Sequence, residues 1–485
     1  MFRYLALAIL AAAVSFQASA QDAKAVLDAA VKAMGADRLG TIRYTGTGLY
    51  YAFGQAYGPA SPWPKFNLKS YDRTIDFDAQ VSSQKIIRIQ AEDPPRGGGQ
   101  QPILGERTET TIVGIKQPWT EQFEIWVTPL GFLKAALVNN ATLAARSVGG
   151  KQYSVVSFSM YGKYKVNGYI NQQNQVEKVE TWVENPVLGD MPVEAGFSDY
   201  KDFKGITFPT KIVETQGGFP VYDLTITNAI RNVIAGVAPP ELPPTDVGVL
   251  VDEQLIAPDV YYFTGGTHHS VVVGFNDYMV VIEAPLDEER SAAVISEAKK
   301  LFFNKPIHYV INTHAHFDHA GGLRTYVAEG ATIITYQENK PYYERVLALP
   351  RTLAPDKLSR SQNKAVVEGV AEKRVLTDGT HEIDLYHVQN SGHSESMLIA
   401  YLPKEKVLVE ADLYTAAVVS SPLPTSASDA PAPPPINPYT VSLVENLERL
   451  KLDPERIIGL HGRDATHDEL WKAAGRTVES ERTSK

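Results

Sequence analysis

The chain has 485 residues, 44% of them hydrophobic and 21% charged, with a formal net charge of -10 and no cysteine. That length exceeds what one compact core usually serves, so two or three cores are expected. The acidic balance argues against a general nucleic-acid or anionic-lipid binder, and the missing thiol removes disulfide staples, cysteine nucleophiles and thiolate metal ligands.

The first twenty residues, MFRYLALAILAAAVSFQASA, place Arg3 ahead of a short apolar run and end in Ala18-Ser19-Ala20. This is the order of a secretory signal peptide, and the run is short for a bilayer span. An exported protein starting at Gln21, periplasmic or secreted and without a transmembrane anchor, is therefore predicted. Next, DAKAVLDAAVKAMGADRLG has the apolar spacing of one amphipathic helix ended by Gly35 or Gly40. Alternating aromatic and β-branched runs follow, among them IRYTGTGLYYAF, SQKIIRIQ, YSVVSFSMYGKYKVNGYI, VEKVETWVE and YDLTITNAI. Punctuated by Gly-, Pro- and Asn-rich turns, they predict a mostly antiparallel, β-rich domain over 21–235. A helix followed by such a meander resembles the curved half-barrel of periplasmic lipoprotein-carrier proteins, which implies an apolar groove for a lipid-like ligand. Packing predicts otherwise: Trp63, Trp119, Trp126 and Trp182 fill a sheet core or a domain interface.

Four prolines in 236–247 discourage regular structure and mark a linker. From 248 to 475 the pattern changes to alternating strands and helices, followed by a short tail, 476–485. HHSVVVGFNDYMVVIEAP reads as a hairpin, DEERSAAVISEAKKLF as a helix and PIHYVINTH as a buried strand. ATIITYQ, HEIDLYHVQ, SMLIAYLPKEKVLVEAD and ERIIGLH supply further strands, giving an α/β layered fold. The low-complexity stretch Ser420 to Pro438 interrupts this half, and its composition favours a disordered insertion over a flap on a site.

All eleven histidines lie at or after His268. Four ligand-type side chains, His314, His316, Asp318 and His319, fall within INTHAHFDHAGG at the end of the predicted buried strand, where the following Gly321-Gly322 permits a tight loop. Imidazoles and a carboxylate suit zinc or iron. His393 in a Gly/Ser-rich turn, Asp412 after an apolar strand and His461 after another extend the pattern. A carboxylate at the end of a buried strand needs a charge partner, which a metal would supply.

HAHFDH, followed in order by that His, Asp and His, resembles the HxHxDH signature of the metallo-β-lactamase-fold metallohydrolases. The resemblance covers about 245 to 475 and implies an αββα sandwich with a dinuclear site, two zinc ions by default, with iron or a mixed pair left open. Carried onto this chain, it implies that His314, His316 and His393 hold one ion, that Asp318, His319 and His461 hold the other, and that Asp412 bridges them. This ligand set is similar to that of the glyoxalase II and lactonase branches. Many true β-lactamases carry Cys or Ser where this chain has Asp412, which lowers the expectation of β-lactam hydrolysis. GHSESM and GLHGR depart from the family's usual GHTxGS and PGHG at the rim. Glyoxalase II itself is disfavoured by the predicted export and by the short stretch after His461.

The predicted activity is hydrolysis of a small-molecule ester, lactone, thioester or amide, with Asp318 orienting the nucleophile and carrying its proton. Two other classes stay open, a single-iron persulfide-type oxygenase and a periplasmic lipid or peptide carrier. His268, His269 and Tyr414 are candidate substrate contacts, although exposed turn positions suit the two histidines and packing suits Tyr414. Glu283 is a candidate support for a ligand histidine. His308, His381, His387 and His467 read as structural or solvent-facing. Oligomeric state is not encoded in any of these features.

Overall fold

The computed structural model describes residues 22–59, 61–99, 102, 105–241, 248–416 and 435–476. The predicted signal peptide, the 242–247 half of the Pro-rich linker, the 417–434 part of the low-complexity stretch and most of the C-terminal tail lie outside the described residues. None of the described helices is long and apolar enough to cross a membrane.

The first unit begins with a helix over 22–33, which stops two residues before Gly35 at φ +65°. Eleven antiparallel strands then form one sheet from Thr41–Tyr51 to Phe219–Arg231, and these first and last strands pair with each other near the sheet's middle. Alternation sets the register: Gly189–Asp202 buries every second residue along most of its length, so one face is covered and the other is not. The hairpin inside YSVVSFSMYGKYKVNGYI turns on Tyr161 and Gly162, both at positive φ, with Lys163 N donating to Met160 O. That is the two-residue turn whose twist matches its strands.

Two helices with no counterpart among the expected elements, Trp119–Trp126 and Pro129–Val138, pack against this sheet. Trp119, Phe123, Trp126 and Phe132 join the sheet's buried face in one continuous core, to which Trp63 also belongs. The apolar face is thus filled by the domain's own aromatic side chains, while Trp182 is half-buried.

The second unit has two sheets. The seven-stranded sheet runs from Asp252–Ala257 to Val367–Val370 and contains the parallel set Met279–Ile282, Ile307–Ile311, Thr332–Tyr336 and Val367–Val370. The six-stranded sheet runs from Lys373–Thr377 to Ala465–Thr466. Val271, Val273 and Ile311 from the first meet Leu385, Ile399, Leu408 and Ile458 from the second in a shared apolar core. Outside the first sheet, Glu288–Leu301 and Leu323–Ala328 pack through Val294, Ala298, Leu323 and Val327. Pro438–Leu450 and His467–Ala473 cover the second through Leu443, Leu447, Leu470 and Trp471. The C-terminal half is therefore the αββα sandwich that the resemblance implies, preceded by the β-rich domain that the sequence pattern predicts.

Polar contacts fasten the units together. Arg351 donates to the carbonyls of Asn185, Pro186 and Val187. Asp190 accepts from Thr352 N at 2.8 Å, Thr352 Oγ1 at 2.6 Å and Leu353 N at 3.0 Å. Burial alone would raise the Asp190 carboxyl, but the Thr352 and Leu353 bonds outweigh it and hold it below its ordinary value. A carboxyl lowered by folding stabilises the fold fully above its unfolded pKa of about 3.9, and that contribution is lost as pH falls through the folded value. Asp190→Asn is expected to unfold at lower urea than the wild type at pH 7, with the gap narrowing below about pH 4. Paired urea titrations across that range test this, and a gap independent of pH would refute it.

Candidate metal centre

The centre is built at the ends of four strands. Ile307–Ile311 leads into Asn312, Thr313 and His314, after which His316 starts the short helix Phe317–Ala320 that carries Asp318 and His319. Gly321 and Gly322 are in right-handed conformation, so they are not there for a left-handed turn. A Cβ on Gly321 would lie 1.8 Å from Leu286 O, and one on Gly322 1.9 Å from Ser291 Oγ. The pair thus serves close approach, letting the loop press against the segment that follows Glu283. His393 sits in a turn whose Ser391 Oγ accepts from His393 N and Ser394 N. Asp412 follows Val407–Glu410 at φ +60°, while Glu410 accepts from Leu413 N and Tyr414 N. His461 follows Arg456–Gly459.

The outward hydrogen bonds of five histidines settle which ring nitrogen faces inward. His316 Nε2 meets Ala56 O at 2.8 Å, His393 Nδ1 meets Gly99 O at 2.8 Å and His461 Nδ1 meets Thr267 O at 3.0 Å. His319 Nδ1 meets Glu283 Oε2 at 3.1 Å. His314 Nδ1 meets Thr313 Oγ1 at 2.9 Å, and that hydroxyl itself donates to Glu283 Oε2. A carbonyl or carboxylate only accepts, so each outer nitrogen carries the hydrogen and each inner one offers a lone pair. His316 consequently presents Nδ1, which is buried without a partner, and the other four present Nε2.

Those inner atoms converge. His314 Nε2 lies 3.2 Å from His393 Nε2, and His319 Nε2 lies 3.1 Å from His461 Nε2. Two ring nitrogens at such distances need a proton or a metal cation between them, and a tetrahedral ion with bonds of about 2.0–2.1 Å has ligand edges of about 3.3 Å, which these separations match. Asp412 stands between the two groups, with Oδ2 at 2.7 Å from His319 Nε2, 3.4 Å from His314 Nε2 and 3.5 Å from His393 Nε2. Its Oδ1 is 3.1 Å from His461 Nε2. Oδ2 is crowded by nitrogen yet has no hydrogen bond of acceptable angle, as expected of an atom placed for an ion. Among the described residues three side-chain groups have metal-binding proximity: His314 with His316 and His393, His268 with Asp318, His319 and His461, and Glu283 with His314 and His319. The donor set fits divalent cations.

Electrostatics agree with that fit. Burial, then the neighbouring imidazoles, hold His314 well below its ordinary value and lower His316 to about 3, so both are neutral donors at pH 7. Burial would raise the Asp412 carboxyl, but His319 and His393 outweigh it and keep it ionised. His319 goes the other way: Asp412, Asp318 and Glu283 overcome its burial and hold it well above its ordinary value, so a proton competes with a metal cation for its inner Nε2. Negative charge gathered at a buried point is what a cation would balance.

Of the other expected residues, His268 is drawn in, with Nε2 3.2 Å from Asp318 Oδ2 and its ring edge-on to His461. Its side chain is only 12% exposed, so it is not an exposed turn residue. His269 is buried and turned away, bonding Gly462 O and packing edge-on against Tyr262. Burial first, and then Glu469, raises the Tyr414 hydroxyl above its ordinary value, with Arg463 opposing. Glu283 is fully buried at φ +78° and holds His319, Thr313 and Asn312 together. Gln55, Ala56 and Gly99, which also touch the ligands, carry no sequence signal, being more than 250 residues from Asp318 and His316 or backbone alone.

The model of the metallo-beta-lactamase superfamily matches residues 263–461. The αββα half of the chain is a domain of that superfamily, and its fold together with the His/Asp cluster places it among metal-dependent enzymes of hydrolase type. Solved structures similar to the chain include a metallo-beta-lactamase from Pontibacter korlensis at 16% identity, covering 47% of this chain and 98% of that one, with a TM-score of 0.34. Another from Hirschia baltica shares 20% identity, covers 46% and 96%, and has a TM-score of 0.34. A flavodiiron core from Synechocystis sp. PCC6803 shares 16% identity, covers 46% and 60%, and has a TM-score of 0.36. No curated protein matches.

Proposed function

We propose that the protein is an exported hydrolase that uses two divalent ions, zinc by ligand chemistry, to cleave an ester, lactone, thioester or amide. The observation that carries this reading is Asp412, whose Oδ2 faces His319 of one histidine group and His314 and His393 of the other, while its Oδ1 faces His461. In this reading His314, His316 and His393 hold one ion, Asp318, His319 and His461 hold the other, and Asp412 spans both. The chemistry such ions supply when bound is activation of water near neutral pH and polarisation of a carbonyl or phosphoryl oxygen.

The chain's own part is positional and acid–base. Asp318 has Oδ1 fixed by Gln55 Nε2 at 2.8 Å, which leaves Oδ2 beside His268 Nε2 as the atom that accepts and returns a proton. His268 orients that oxygen, and the buried ligand histidines keep bulk water from the inner atoms. A cavity of about 340 Å³ between the units, lined by Trp63, Phe219, Ala315, Phe317 and Tyr342, has the size of a small-molecule site and suits an apolar substituent on the substrate.

Metal analysis of the purified full chain, joined to a panel of esters, lactones, thioesters, amides and β-lactams, tests the reading. Two ions per chain, turnover abolished by a chelator, and a fall of about 10²–10⁴-fold in Asp318→Asn are expected. One iron per chain with oxygen consumption would replace hydrolysis by oxidation, and co-purified lipid with no turnover would make the protein a carrier.

A further inference from the structure

The loops of the N-terminal unit that face the metal centre do more than cover it. Residues 52–57 and 91–99 both reach the ligands. Gly54 O accepts from Phe317 N at 3.1 Å, and a Cβ at Gly54 would lie 2.7 Å from the Phe317 ring. Phe317, set between ligands His316 and Asp318, packs edge-on against Phe53 and Trp63. Tyr57 O accepts from Glu395 N and Tyr57 Oη donates to Ser391 O, so the turn carrying His393 is gripped on both sides. Gly97 N donates to Gly392 O, and Tyr439 Oη donates to Gly97 O.

Gln55 joins these contacts. Its Nε2 donates to Asp318 Oδ1 at 2.8 Å and its Oε1 accepts from Gly99 N at 3.1 Å. The assignment of its two ends is fixed, because a carboxylate only accepts and a backbone N–H only donates. The carbonyl of the same Gly99 takes the Nδ1–H of His393. One amide therefore connects a ligand of one histidine group with a ligand of the other, by way of a single residue.

We propose that the N-terminal unit supplies three of the outer hydrogen-bond partners of the metal centre, and that Gln55 is the positioning residue that couples its two halves. The proposal rests on the reading of the cluster as a metal centre. Three ligands lean on this unit: His316 on Ala56, His393 on Gly99 and Asp318 on Gln55. Outer partners of this kind set ring orientation and ligand basicity, and losing one weakens metal binding by about 10–100-fold. By reciprocity, bound ions must fasten the same loops. The first half of the chain is then part of the centre rather than an appended module.

The test uses the full chain, wild type and Gln55→Leu, which keeps the side chain's size and removes both hydrogen bonds. Gly97→Val provides a second lesion, since its Cβ would lie 2.7 Å from Gln55 O and displace the segment that ends at Gly99. Tyr153→Phe, on a remote strand of the same sheet, is the control. Zinc affinity is measured by competition with a chromogenic chelator, the thermal midpoint in the metal-free state, and hydrogen exchange of 53–57 and 97–99 with and without zinc. Expected are zinc affinities about 10–100-fold weaker in Gln55→Leu and Gly97→Val, a wild-type affinity in Tyr153→Phe, a metal-free midpoint of Gln55→Leu close to wild type, and loop exchange that slows on zinc addition only when Gln55 is present. Wild-type zinc affinity in Gln55→Leu, or loop exchange indifferent to zinc in the wild type, overturns the proposal while leaving the metal centre standing. A wild type that takes up no divalent ion removes the metal-centre reading itself. Should Gln55→Leu fail to fold, the wild-type exchange measurement still decides.

Discussion

Asp412→Ala is expected to lower turnover by about a thousand-fold or more and to leave the purified chain with at most one bound ion. The side chain is buried, and its oxygens lie within 3.5 Å of Nε2 atoms from His314, His319, His393 and His461. Alanine offers neither charge nor lone pair in its place. Asp412→Asn keeps the shape and one acceptor oxygen but removes the charge that would balance the proposed ions, so it is expected to retain more metal than alanine and little more activity. Inductively coupled plasma analysis and steady-state kinetics on the substrate from the panel provide the readouts. A variant that keeps two ions and turns over within ten-fold of wild type would remove Asp412 from between the ions.

Glu283→Ala is expected to be the most destabilising single change near the centre, by about 3–5 kcal/mol. Glu283 accepts from Asn312 Nδ2 at 3.0 Å, Thr313 Oγ1 at 2.5 Å and His319 Nδ1 at 3.1 Å, all within a fully buried pocket. Alanine strands these three donors away from water, and each buried donor left unpaired carries a desolvation penalty of its own. The left-handed backbone at this position adds strain that only the native network holds in place. Chemical denaturation of metal-free protein isolates this effect from metal loss. Glu283→Gln separates the two roles: two acceptor bonds can survive, so stability falls less, while zinc affinity falls by about 10–100-fold because His319 loses its anionic partner. An unchanged denaturation midpoint for Glu283→Ala would show that the donors find other partners.

Much of the C-terminal architecture is legible along the chain because its signals are local. PIHYVINTH reads as a buried strand ending in ligands since apolar β-branched runs specify strands and the polar run after them has to leave the sheet. The hairpin at HHSVVVGFNDYMVVIEAP and the helix at DEERSAAVISEAKKLF carry their own period, and Asp287 caps that helix by accepting from Arg290 N. In the N-terminal unit, the helices at WTEQFEIW and PLGFLKAALV escape such a reading. PLGFLKAALV is apolar nearly all round and shows no amphipathic period, while WTEQFEIW places Trp119, Phe123 and Trp126 on one face but over only eight residues, too short a run to establish a period.

The ligand residues are distinguished by type: imidazoles and carboxylates at strand ends are few, and their order along the chain is informative by itself. His268 is different, because a histidine pair in GGTHHS is as compatible with an exposed turn as with a cluster. Only the packing of that turn against Gly462 and His461 sends His268 toward Asp318 and His269 away from it.

The sequence by itself determined the composition class, the layered C-terminal fold and the inventory of candidate ligands, since hydrophobic period and residue chemistry are written locally. Tertiary structure alone decided which nitrogen of each histidine points inward, and that the N-terminal loops provide three of the outer partners. Those partners are backbone carbonyls of Ala56 and Gly99 and the uncharged amide of Gln55. A carbonyl is present at every residue, so nothing in the amino-acid code marks the two that matter. Their role comes from the docking of one folded unit on another, more than 200 residues apart along the chain.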